Sequence, residues 1–182
     1  MLLMIMWNSR GLGDRVKTDF LASEIKKNKV LIGAVLEHKQ HPVKINDFCR
    51  IIRMHRSMHA DPVNRHIWVF WNKEILVDFI QAEDQFITTK VTKGGKSLYV
   101  TFVYGSCDAH TRVRLWHDLK DFDPGDVPWM VGGDFNIVTK PREKKGREDF
   151  PQQAILEFVQ FMADAGLLDM GYTGDSYTWC NN

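Results

Sequence analysis

Several polar residues stand at the ends of apolar, strand-like runs in this 182-residue chain. Asn8 follows the run Leu2 to Trp7, and Glu37 closes the run that starts at Val30. Tyr104 closes Leu98 to Val103, while Asp134 and Asn136 follow Trp129-Met130-Val131 in the block Gly132-Gly133-Asp134-Phe135-Asn136. In layered α/β folds the strand ends form the rim where ligands sit. A glutamate, an aspartate and two carboxamides converging there suit one hard cation and a phosphodiester. Magnesium takes oxygen ligands, keeps much of its water and commonly uses only one or two protein carboxylates. Taken singly, Asp and Asn after a strand are ordinary turn formers, and glycine pairs mark turns. Their shared position at strand ends is what singles them out.

Other constellations fail on spacing. Gly94-Gly95-Lys96-Ser97 resembles the tail of a phosphate-binding loop, but the earlier glycine is replaced by Lys90 and a strand follows rather than a helix. Gly94-Gly95 therefore reads as a hairpin turn. Gly11-Leu12-Gly13 begins like a dinucleotide fingerprint, yet the third glycine falls at Val16. No G-x-S-x-G elbow supports Ser9 or Ser106 as a nucleophile. His38 with His41 and His55 with His59 lie outside any H-E-x-x-H motif and read as surface or partly packed histidines. Cys49, Cys107 and Cys180 are isolated, which argues against a zinc finger or a disulfide framework and fits a reducing compartment.

The elements that position the polar residues follow from periodicity. Asp14 caps a helix with Val16, Phe20, Leu21 and Ile25 on one face. Ile45, Phe48 and Ile52 place a short amphipathic helix within residues 43–53. Strand-like runs follow at Ile67–Trp71, Ile75–Ile80, Phe86–Val91 and Leu98–Tyr104, then a helix over Arg112–Leu119 and a buried strand over Pro128–Gly133. Lys140–Asp149 is a charged loop. Pro151 opens a helix with Ile155, Phe158, Val159 and Met162 on one face, which Gly166 ends. Ser176–Cys180 reads as a last short strand, two residues before the end. Strands alternating with helices, and hairpins in the middle, imply an α/β sandwich with mixed sheets.

A hydrophobic fraction of 44% and a charged fraction of 26% exclude a disordered tail. No apolar run reaches the roughly 18 residues of a membrane span, and Met1–Met6 is too short for a signal-peptide core. The expectation is a chain that is not secreted. The net charge of +1 hides an asymmetry: residues 1–66 hold 12 basic and 6 acidic side chains, giving +6, and the remainder gives −5. A basic portion attracts phosphates, although a solvated mixed surface accounts for the same count.

The wording of the blocks resembles the endonuclease/exonuclease/phosphatase superfamily, the fold of DNase I and the abasic-site endonucleases. It is closest to the endonuclease domain of plant non-LTR (LINE-type) retrotransposons. The resemblance rests on Trp7-Asn8-Ser9-Arg10-Gly11-Leu12-Gly13, Glu37, Val103-Tyr104-Gly105, Arg114-Leu115-Trp116, Pro128 to Asn136, Gly166 to Gly171 and Tyr177-Thr178-Trp179. It implies one domain over residues 1–182, a four-layer α/β/β/α sandwich of two mixed sheets flanked by helices. It also implies roles: Glu37 as the main metal ligand with Asn8 beside it, Asp134 to position or deprotonate the attacking water, Asn136 to bind the scissile phosphate and Tyr104 to contact it. The cofactor implied is magnesium, with manganese as an alternative and no small-molecule cofactor. The partner it implies is DNA, nicked in the nucleus or cytoplasm by a monomer that makes no use of a membrane.

The chain also departs from the family. Ser9 replaces a cysteine common in the plant elements, and residues 53–66, with three histidines, fit poorly. The family carries an aspartate after the strand matched by Tyr177-Thr178-Trp179 and then an S-D-H segment; neither lies before Asn182. Asp169, Asp175, His110 and His117 do not replace them by position. The resemblance therefore implies a domain incomplete at its C-terminus and impaired in turnover, with an open sheet edge as a route to association. Two further readings stand beside it: an inactive nucleic-acid-binding remnant, and a phosphatase of small phosphoesters.

Overall fold

A computed structural model describes residues 2–144 and 151–174. The expected strand at Ser176–Cys180, the loop residues 145–149 and Asp175 lie outside the described residues. The chain divides into two compact units, residues 1–105 with 124–134, and residues 106–123 with 135–182.

The first unit holds two four-stranded sheets. In one, β1 (Met4–Asn8) runs parallel to β2 (Ile32–Leu36), which pairs antiparallel with β4 (Asn64–Trp71), and β4 pairs antiparallel with β3 (Arg56–Ala60). In the other, β5 (Leu76–Glu83), β6 (Phe86–Lys93) and β7 (Lys96–Tyr104) form an antiparallel meander, and β8 (Trp129–Asp134) adds in parallel to β7. Both sheets are mixed, as expected. Gly94 and Gly95, with φ of 57° and 75°, make the two-residue turn between β6 and β7.

Side-chain alternation explains why these runs are apolar throughout. Trp68 and Phe70 on β4 and Val35 on β2 face the helices α1 (Arg15–Asn28) and α2 (Ile45–Ile51), where they meet Leu21, Ile25, Phe48 and Cys49. Ile67, Val69, Ile32, Ala34 and Leu36 point the other way, against Ile87, Val91, Val100 and Phe102 of the second sheet. A strand covered on both faces has no polar side to show, so β2 reads as one continuous apolar run. Full burial of a side chain such as Phe70 or Phe102 stabilises by about 1.5–3 kcal/mol.

Several expectations need correction. Asp14 does cap α1, its carboxylate accepting from Val16 N–H at 2.8 Å. The buried stripe, however, is Thr18, Leu21 and Ile25, while Val16 and Phe20 are exposed. Positions 18, 21 and 25 follow the helical period; Phe20 lies off that stripe, its ring 6.2 Å from that of Trp7. Residues 56–60, in the stretch that fits the family poorly, form the edge strand β3. Its half-exposed, basic pattern is how edges resist further pairing, and it hides the strand from a periodicity reading.

In the second unit, α3 (Ala109–Lys120) starts earlier than the apolar pattern implies, because Asp108 accepts from Thr111 N–H at 2.8 Å as its cap. The helix α4 (Gln152–Asp164) buries Ala154, Ile155, Phe158 and Phe161, leaving Val159 exposed instead of inward. Trp116 of α3 stacks on Phe158 and Phe161 at 5.0 and 4.9 Å, and Phe135 lies 6.3 Å from it. Among the described residues no helix is long and apolar enough to cross a membrane.

Candidate active site

Two parallel strand pairs end side by side in the first unit. The last rung of β1 and β2 pairs Asn8 with Leu36, so that Glu37 is the next residue out. The last rung of β7 and β8 pairs Tyr104 with Asp134. Glycines bring the two ends together. A Cβ at Gly132 would meet Met6 Sδ of β1 at 2.7 Å, and one at Gly133, where φ is 139°, would meet the Val103 carbonyl oxygen at 2.0 Å. Only bare backbone lets β8 lie this close to both β1 and β7.

Four of the expected residues meet as a result. The Asn8 amide donates to Asp134 Oδ2 at 2.7 Å and also hydrogen bonds to the Glu37 carboxylate, to which the Tyr104 hydroxyl donates as well. One amide group thus serves two carboxylates. Its own oxygen accepts the Arg10 N–H at 3.0 Å, which fixes the orientation of the carboxamide. The Lys39 ammonium lies 2.8 Å from Glu37 Oε1. Burial raises the Glu37 carboxyl, but Lys39 and the hydrogen bonds from Asn8 and Tyr104 outweigh it and hold it below the ordinary glutamate value. Glu37 is therefore a charged carboxylate at neutral pH.

The loops carrying these groups are tied together. Ser9 and Gly11 N–H donate to the Leu36 and Glu37 carbonyls at 3.0 and 2.7 Å, and Leu12 N–H donates to the His38 carbonyl at 2.9 Å. Lys17 of α1 donates to the carbonyls of Ser9 and Gly11. Ser9 is buried, its hydroxyl donating to the Leu36 carbonyl at 3.2 Å, which is a structural role and agrees with discarding it as a nucleophile.

Asn136, the remaining expected residue, belongs to the second unit, two positions after Asp134. It takes a left-handed φ of 50°. Lys39 and His66 escaped the sequence reading. His66 lies with its ring 5.0 Å from that of Tyr104, and its carbonyl accepts the Glu37 N–H at 2.8 Å. Neither Lys39, two residues past a strand end, nor His66, before the apolar run of β4, carries a periodic signal that would have marked it.

The donor set is chemically suited to a hard cation. Glu37 and Asp134 present oxygens, and the corner already accepts one positive group, the Lys39 ammonium, on Glu37. Asn8 can offer only the second lone pair of an oxygen already engaged with Arg10. Among the described residues no three His, Cys, Asp or Glu side chains gather as a metal cluster. Magnesium, which uses few protein carboxylates, does not require one.

No family model matches the chain, and no curated protein does. Solved structures do. A β-hairpin deletion mutant of Staphylococcus aureus beta toxin matches with a TM-score of 0.69 at 14% identity, over 98% of this chain and 77% of that one. An AP endonuclease from Archaeoglobus fulgidus gives 0.68 at 17%, over 90% and 70%. The endonuclease domain of TRAS1, a telomere-specific non-LTR retrotransposon, gives 0.62 at 12%, over 95% and 74%. Likeness at these identities establishes the fold: the α/β, DNase I-like architecture of endonuclease/exonuclease/phosphatase proteins, as the motifs implied.

Proposed function

We propose that the chain is a divalent-metal-dependent phosphodiester hydrolase that nicks DNA, akin to the endonuclease of a plant non-LTR retrotransposon. The observation that carries this reading is the hydrogen-bonded group of Asn8, Glu37, Tyr104 and Asp134 at adjoining strand ends. Glu37 would hold magnesium or manganese, with Asn8 beside it. When bound, the metal polarises the phosphate and stabilises the charge that develops on it.

The chain's own groups supply the rest. Asn8 fixes the Asp134 carboxylate through Oδ2, and that carboxylate would orient or deprotonate the attacking water. The Tyr104 hydroxyl, shared with Glu37, contacts a phosphate oxygen. Asn136 binds the scissile phosphate. DNA as the substrate is supported by the fold shared with the TRAS1 endonuclease domain and with Danio rerio TDP2, solved with a single-strand DNA product, and by the +6 charge of residues 1–66. On this reading the protein acts in the nucleus or cytoplasm as a monomer, with association through a sheet edge as the alternative, and uses no small-molecule cofactor.

The test is nicking of supercoiled plasmid with magnesium, by the wild-type chain and by Glu37→Gln and Asp134→Asn at matched circular dichroism. Asp134→Asn is expected to cost at least about 100-fold, the low end for an acid–base group, Glu37→Gln should remove nicking along with the metal's carboxylate, and chelation should abolish nicking. Nicking that survives both substitutions would sink the assignment. A folded wild-type chain that binds DNA in a salt-sensitive way but never nicks would instead make it a non-catalytic binding domain.

A further inference from the structure

Beside the catalytic corner, and independent of the reading given for it, the first unit contains a cavity of about 360 Å³ that the proposed chemistry leaves unused. His38, His41, His59, Gln40, Asp61 and Arg65 line it. Two of its histidines come from the segment after Glu37 and the third, His59, from β3, while Arg65 lies at the start of β4.

The three imidazoles share one local geometry. Nδ1 of His38 accepts the Gln40 N–H at 3.1 Å, Nδ1 of His41 accepts the Val43 N–H at 3.4 Å, and Nδ1 of His59 accepts the Asp61 N–H at 3.4 Å. A ring nitrogen that accepts a hydrogen bond carries no proton, so in each neutral ring the proton sits on Nε2. All three rings are thereby set as Nε2–H donors. A metal would need the Nε2 lone pair, so this arrangement is built for an acceptor.

His38 adds the decisive observation. It is only 2% exposed and stacks on Trp68 with ring centroids 4.1 Å apart. Among the described residues, its Nε2 is the one buried side-chain polar atom without a hydrogen-bond partner. A buried donor left unmatched costs its full desolvation, so such an atom calls for a partner from outside the chain. Arg65 supplies positive charge. Its Nε is held by Asp61 Oδ1 at 3.2 Å, which fixes the guanidinium and leaves its amino groups to bind. The one carboxylate on the wall is thus already spent on the arginine.

We propose that this cavity binds a phosphate group, accepted by the Nε2–H donors of His38, His41 and His59 and by the Arg65 guanidinium. The phosphate belongs either to a free phosphate or mononucleotide or to the backbone of a DNA strand, and its oxygens take what all the donors here offer.

Imidazole nitrogen NMR of the folded chain, without divalent metal, tests this directly. Inorganic phosphate, thymidine 5′-monophosphate and a short oligothymidylate are titrated separately, with chloride as the ionic control. Saturable shifts of the His38 and His59 Nε2–H signals by at least one phosphate probe, and not by chloride, are expected. Response to inorganic phosphate or the mononucleotide assigns a free ligand; response to the oligonucleotide alone assigns a DNA strand. Arg65→Met and His59→Ala, both at exposed positions, should each weaken that response about fivefold, the usual loss for one hydrogen bond. The proposal is overturned if no probe shifts these signals, if both variants bind as the wild type does, or if the spectra place the protons on Nδ1. Loss of nicking in a catalytic-corner variant that still shows the shifts separates this site from that one.

Discussion

His38 ties the fold to pH in a way that can be worked through. Burial, then the nearby charges of His66 and His59, push its imidazole from the ordinary 6.5 down to about 4, the Gln40 N–H opposing only in part. The unfolded chain takes up a proton near pH 6.5, while the folded chain refuses it until about pH 4. Stability is therefore complete above pH 6.5 and is lost as pH falls toward 4. The gap of 2.5 units, 6.5 less 4, at about 1.4 kcal/mol per unit, amounts to about 3 kcal/mol once the pH reaches 4. His38→Phe keeps a ring against Trp68 and removes the titration. Urea unfolding of both proteins from pH 7.5 to 4, in acetate and other phosphate-free buffers, should give curves that run parallel above pH 6.5 and diverge below it, the wild type losing more. Curves that remain parallel down to pH 4 would refute the neutral, buried His38 on which the reasoning depends. Repeating the wild-type series with added phosphate links this measurement to the adjacent cavity.

Three further outcomes follow from the strand-end cluster of Asn8, Glu37, Tyr104 and Asp134. Gly133→Ala should cost at least about 3 kcal/mol in thermal or urea unfolding, because its Cβ would fall 2.0 Å from a β7 carbonyl oxygen at a φ of 139°. A variant as stable as the wild type would disprove the close approach. Lys39→Met removes the cation that competes for Glu37, and Lys39 is largely exposed, so manganese titration by water-proton relaxation should show binding tighter by at most about fivefold; weaker binding would contradict competition. Asn8→Ala removes a donor from Glu37, so carboxyl carbon NMR should show Glu37 titrating at higher pH than in the wild type, and an unmoved titration would remove Asn8 from the cluster.

The parts legible in the sequence were those governed by a single period or a single cap. β2 and residues 67–71 of β4 are buried on both faces and so read as unbroken apolar runs, and Asp14 and Gly94-Gly95 act through backbone geometry local to themselves. The strand-end polar residues were visible for the same reason: an Asn, a Glu or an Asp interrupts a run where the strand leaves the core. What stayed hidden depends on partners distant in sequence. β3 exists because β4 offers it a pairing edge, and its own five residues show no pattern. Gly132 and Gly133 fall inside the strand expected over Pro128–Gly133, but the reason they lack side chains, the approach of Met6 and Val103, lies far away in the sequence. The meeting of Asn8 with Asp134 spans 126 positions, and no local pattern could announce it. Likewise the three histidines of the cavity were divided between two unproductive pairs, His38 with His41 and His55 with His59, because the relevant fact is the backbone N–H each Nδ1 accepts.

Backbone strain supplies an argument for function that no side chain enters. Among the described residues, the non-glycine positions with positive φ are Arg10, Lys29, Glu37, Lys39, Arg53 and Asn136. Lys29 caps the end of α1 and Arg53 follows the end of α2, where left-handed residues commonly close helices. The other four sit in the segments after β1, β2 and β8 that carry Asn8, Glu37 and Asp134. A side chain in this region costs on the order of 1 kcal/mol, a cost a glycine would avoid. Glu37 itself takes φ 53°, and its carboxylate is the group proposed to hold the metal. The bonds that hold this geometry, from Ser9, Gly11 and Leu12 to the backbone of residues 36–38 and from Lys17 to the β1 loop, are just those that fix where the carboxylate points. A loop selected for stability alone would place glycine at position 37. Keeping a strained glutamate there is expected of a residue retained for its charge.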